Sequence, residues 1–70
     1  MEKALAIELI KHALDLSAQL NFIIEKVETI ADEDERIGMR EYMGKLLAAS
    51  DEHLYRPILK QYPELDPVRT

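Results

Sequence analysis

AIELIKHALDLSAQLNFIIEKVETI, residues 6–30, is the stretch that decides the fold. Its apolar residues Ala6, Leu9, Ala13, Leu16, Leu20, Ile23, Val27 and Ile30 alternate spacings of three and four without a break. That is the period of an α-helix, and alternation of this kind marks a seam meant for another helix. Neither proline nor glycine interrupts it. The pattern predicts a first helix over residues 2–31. At about 1.5 Å per residue a helix of about 28 residues is about 42 Å long. A compact chain of 70 residues should be roughly 28 Å across. The helix overshoots such a globule, so a rod is expected.

Working outward, Asp32-Glu33-Asp34-Glu35 has no apolar residue and reads as a turn leading into a second helix. Asp32 or Asp34 suits the N-cap, and the following carboxylates meet the positive end of the helix dipole. A calcium loop would also begin Asp-x-Asp. Here Arg36 falls at the third ligand position, Ile37 replaces the required glycine and Met43 replaces the closing glutamate.

The second helix is expected over residues 33–55. Its apolar face carries Met39, Tyr42, Met43, Leu46, Leu47, Ala49 and Leu54, joined by Ser50 and His53. Glu41–Lys45 and Glu52–Arg56 are favourably oriented i,i+4 pairs. Gly38 and Gly44 weaken this helix by about 1 kcal/mol each relative to alanine. All three prolines follow. Pro57 biases Arg56 away from the α region and suits the first position of a short helical turn that Pro63 ends. Ile58, Leu59, Tyr62 and Leu65 make the segment 56–70 too apolar for a linker, so it should fold over one end of the hairpin. The expected fold is all-α, one helical domain over residues 1–70. It is a long helical hairpin with a short Pro-bounded C-terminal turn.

Composition narrows the chemistry. The chain has no cysteine, 14 acidic against 9 basic residues and a formal net charge of -5. Disulfides, thiolate nucleophiles and zinc ribbons are excluded, and so small a domain without a staple commonly relies on oligomerisation. The acidic balance argues against nucleic acid, whose phosphates need clustered Lys and Arg. No apolar run approaches the roughly 20 residues that span a bilayer, and the first residues lack the basic and apolar regions of a signal peptide. The expectation is a cytoplasmic protein that binds neither nucleic acid nor membrane.

Helix 1 also carries Ile7, Ile10, Leu14, Ala18 and Phe22 outside the seam, a second ridge that one partner helix cannot cover. Leaving four or five such residues in water forgoes roughly 6–15 kcal/mol, as much as the net stability of a whole domain. A second copy of the chain would cover them, two hairpins forming a four-helix bundle about a two-fold axis. The candidate protein-interface residues are Ile7, Leu14, Phe22, Ile37, Tyr55 and Tyr62.

No catalytic residue, metal site or cofactor is expected. His12 and His53 lack the Glu-x-x-His spacing of di-metal bundles, with Leu9 and Ser50 three residues before them. Ser17 and Ser50 sit in no nucleophile elbow, and no glycine-rich loop is present. The functional reading is a non-enzymatic protein–protein interaction or regulatory module acting as a homodimer. One alternative is an immunity- or antitoxin-like binder of a basic partner. Another is a ligand- or metal-binding bundle using His12 and His53.

Overall fold

The structure, a computed structural model, describes residues 1–66. The remainder of the expected 56–70 tail, residues 67–70, lies outside the described residues. Among the described residues there are helices and turns and no strand. Helix α1 spans Lys3–Val27 and α2 spans Glu33–Ser50. A π-helical turn, Asp51–Tyr55, leads directly into α3, Arg56–Gln61, and a 3-10 turn follows at Pro63–Leu65.

Helix α1 ends four residues before the expected position. Thr29 is the reason: its backbone N–H and its Oγ1 both donate to the Lys26 carbonyl, and the Ile30 N–H donates to Val27. These i−3 bonds tighten the chain into a turn and use the carbonyls that would have carried the helix on. Asp32 then caps α2, its Oδ2 accepting from the Glu35 N–H at 2.8 Å. Glu33, Asp34 and Glu35 fill the first turn, so the acidic run serves the helix dipole. Arg36 reaches back to the Ile30 carbonyl at 3.1 Å, and Arg40 grips Glu28 with two bonds of 3.0 and 2.7 Å. Both arginines tie α2 to the end of α1, so the two helices run antiparallel.

Two small cores hold them. Near the turn, Leu20, Val27 and Met43 are buried, flanked by Ile24, Ile30 and Leu47. At the other end Ala6, Ile10 and Ile58 are buried, with Leu9, Leu54, Tyr55, Leu59, Tyr62 and Leu65 packed around them. Buried Ala13 and half-buried Ser17 lie between on α1. These small side chains contribute little volume to the waist.

The seam differs from the expected one. On α1 the inward positions are Ala6, Ile10, Ala13, Ser17, Leu20, Ile24 and Val27, whereas Leu16 and Ile23 are exposed. The heptad positions of Ala6, Ala13, Leu20 and Val27 hold; their partners are the residues four later, not three later. Helix α2 does the same. Met43 is buried and Leu47, Ser50 and Leu54 are half-buried, while Met39, Tyr42, Leu46 and His53 are exposed. Both helices are rotated by part of a turn from the expected faces. Ile10, expected on the outer ridge, is core.

Pro57 stands in the first turn of a short helix that ends before Pro63, as expected, but the expectation for Arg56 is corrected. Arg56 is helical, at φ −62° and ψ −41°, and the backbone from Ser50 through Tyr55 to Arg56 stays in the α region. The Arg56 N–H reaches the Asp51 carbonyl, five residues back. A π-turn inserts one extra residue into the helix. It gives the proline ring room where a regular α-turn would drive it into the carbonyl four residues earlier. The extra residue also shifts the phase. Continued at spacings of three and four from Leu47, Ser50 and Leu54, the seam would next reach Pro57 and Gln61. After the π-turn it reaches Ile58, which is buried, and Tyr62, which is half-buried.

Past Gln61 the chain folds over the start of α1. The Tyr62 hydroxyl donates to the Met1 carbonyl, Lys3 pairs with Glu64 at 3.2 Å, and Leu65 packs on the end core. The molecule measures 46 × 21 × 16 Å, with a radius of gyration of 14.9 Å, against about 11 Å for a compact chain of this length.

Candidate interaction surface

Helices α1 and α2 lie side by side, and only the short segments after Ser50 pack over the terminal end of α1. Along most of its length the protein is therefore a single layer, with a broad face on each side. Stable domains usually pack a second layer against the first. Among the described residues no large side chain is fully buried, and eleven large apolar residues are exposed.

Helical spacing assigns these residues to faces. In an antiparallel pair, positions displaced from the seam in the same rotational sense fall on the same side of the pair. Leu9, Leu16 and Ile23 lie seven residues apart, just to one side of the α1 seam. Met39 and Leu46 hold the equivalent place on α2, with Tyr42 beside them. Glu28–Arg40 and Ile30–Arg36 set the register, which interleaves the two rows along the turn half of the rod. We call this the front face. It includes Tyr42, 66% exposed, and Leu46, 51% exposed.

On the back face stand Ile7 and Leu14 from α1 and Ile37 from α2, all exposed. Phe22 is 59% exposed and points away from the seam on the outer edge of α1. Four of the six candidate interface residues are thus on the surface, though not on one patch. The other two, Tyr55 and Tyr62, are half-buried within the chain's own end core. Sequence reasoning missed Leu16, Ile23, Met39, Tyr42 and Leu46 as surface residues because it assigned them to the hairpin seam. Adjacent apolar pairs, Leu9-Ile10 and Ile23-Ile24, fit either seam equally well.

Charge separates the faces. From Leu5 to Ile23 the front row of α1 carries Leu9, His12, Leu16 and Gln19, and from Met39 to Ala49 that of α2 carries Tyr42 and Leu46. Neither stretch holds Lys, Arg, Asp or Glu; Glu2 and Lys26 continue the α1 row beyond it, and Glu35 the α2 row. The back face carries Lys11, Glu25, Glu41 and the Glu28–Arg40 pair at 2.7 Å. The hydrogen bond from Arg40 holds the Glu28 carboxyl below its ordinary range, and the same contact raises Arg40. At the opposite end a hydrogen bond from its own backbone N–H, aided by Lys3, lowers Glu64.

The histidines bring no ligand set together. His12 is exposed, and the His53 side chain is 77% exposed, its Nε2 3.9 Å from Glu52. Among the described residues no three His, Cys, Asp or Glu side chains are grouped to hold a metal ion. An open groove at the terminal end is lined by Tyr55, Leu59, Lys60 and Pro63; the neighbouring Arg56 is engaged by Asp51 at 2.6 Å. No helix of the described residues is long and apolar enough to cross a membrane. Comparison with protein-family models, with curated proteins and with solved structures finds no match to this chain.

Proposed function

We propose that this chain is a non-enzymatic helical interaction module that works as a homodimer, two hairpins closing into a four-helix bundle. The observation that carries the reading is the single-layer architecture, α1 and α2 side by side with large apolar side chains exposed on both faces. A second hairpin supplies the missing layer and removes apolar area from water at about 25 cal/mol per Å². A bundle of this kind needs no metal or cofactor, and its surplus apolar surface is where another protein would be held. Light scattering with sedimentation across a dilution series tests it. A particle of twice the 8.1 kDa chain mass is expected. A monodisperse 8.1 kDa particle at every concentration would overturn it.

A further inference from the structure

Resting on the homodimer reading, we infer that the second copy docks on the front face, through Leu16, Ile23, Met39, Tyr42 and Leu46, and leaves the back face free. Three observations converge. The first is area. The broad side of the rod, 46 by 21 Å, is long and wide enough for a second hairpin to lie along it, as an interface of ~800 Å² per partner requires.

The second is charge. A two-fold interface sets the same patch of both copies together, so each charge in it is buried twice and brought near its own copy. The front rows between Leu5 and Ile23 and between Met39 and Ala49 have none. Over the same stretches the back rows hold Lys11 and Glu41, which docking there would desolvate.

The third is continuity. Front-face residues come from both helices and interleave along the turn half, so they present one strip as the outer side of a bundle core. Ile7 and Leu14 lie in the terminal half of α1, whereas Ile37 lies near the turn on α2. Gly44, between them in the back row, has open space around it.

Four variants of the full chain separate the faces by sedimentation, with circular dichroism as the folding check. Leu46→Lys and Tyr42→Lys alter residues already exposed in the single hairpin, and each should raise the dimer dissociation constant at least ~100-fold. Leu14→Lys and Gly44→Ala, on the back face, should leave it within about 3-fold. If Leu46→Lys loses its helix, Tyr42→Lys decides alone, being the more exposed position. Dissociation by Leu14→Lys or Gly44→Ala would overturn the assignment, as would association surviving both front-face lysines. Failure of the parent homodimer reading looks different: the unmodified chain would already be monomeric.

Discussion

The turn half of the rod and its terminal half each bury three residues, yet they close by different routes. In the turn half, ties span short stretches of chain: Asp32 to Glu35, Ile30 to Arg36, Glu28 to Arg40. In the terminal half they span nearly the whole molecule, from Met1 to Tyr62, Lys3 to Glu64 and Ala6 to Ile58. Closing a long loop costs more chain entropy than closing a short one. The terminal half therefore depends on the turn half having formed, whereas the reverse dependence is weak. The expected order of local opening is ends first, turn last.

The strongest way to break this comparison is to empty each core in turn, at one fixed protomer concentration. Met43→Ala should cost about 2–5 kcal/mol, the usual price of a buried methionine truncation, and should melt both halves together. Ile58→Ala removes a similar volume, but its loss should be confined. Hydrogen exchange would show faster exchange over residues 54–65 while amides near Leu20 and Met43 stay protected. Equal loss of protection in both halves would show that the cores are one cooperative unit.

The turn cap comes next. Asp32→Ala deletes the bond to the Glu35 N–H, and chemical denaturation should show a loss of about 1 kcal/mol. Gly44→Ala should act with the opposite sign, stabilising α2 by about 0.5–1 kcal/mol, because open space surrounds the position and its φ is not positive. At the terminal half Pro57→Ala sharpens the account of the π-turn. A proline strained inside a helix costs about 3 kcal/mol; one already accommodated costs little, so the substitution should change stability by less than about 1 kcal/mol. A gain near the larger figure would show that the bulge does not relieve the ring.

The smallest effect is acid sensitivity. Glu28 at the turn and Glu64 at the terminal end both have lowered carboxyl pKa values in the folded chain. Their contribution is thus present above the ordinary carboxylate range and is lost as pH falls through the lowered values. Both groups are exposed, so the effect should be slight. Arg40→Gln should reduce the acid dependence of the turn half and leave that of the terminal half unchanged, as followed by residue-resolved exchange against pH.

Much of this was readable before the fold. Unbroken three-and-four spacing through Ile30 called for one long helix, because no other regular structure places those residues on one side; Thr29 ends it at Val27 instead. Asp32 followed by three more acids marked the start of α2, because those side chains satisfy its first N–H groups and dipole. The surface was less legible. Leu16 and Ile23 read as core because their spacing to Ala13 and Leu20 is as helical as that of the residues actually buried. Hydrophobic period locates a stripe on a helix but not its centre when neighbouring positions are both apolar.

Tertiary structure chose between them. Rotating α1 to turn Ile10 and Ile24 inward frees Leu16 and Ile23, and that choice depends on what α2 presents opposite, far along the chain. The phase of the last turns is non-local in the same sense. The sequence alone shows a proline at 57, whose ring disfavours a helix interior. Only packing against Ala6 and Ile10 favours the extra residue of the π-turn that carries Ile58, rather than Pro57, into the core. Local chemistry determined where helices begin and end; which of their faces meet was decided by contacts that exist only once both helices are in place.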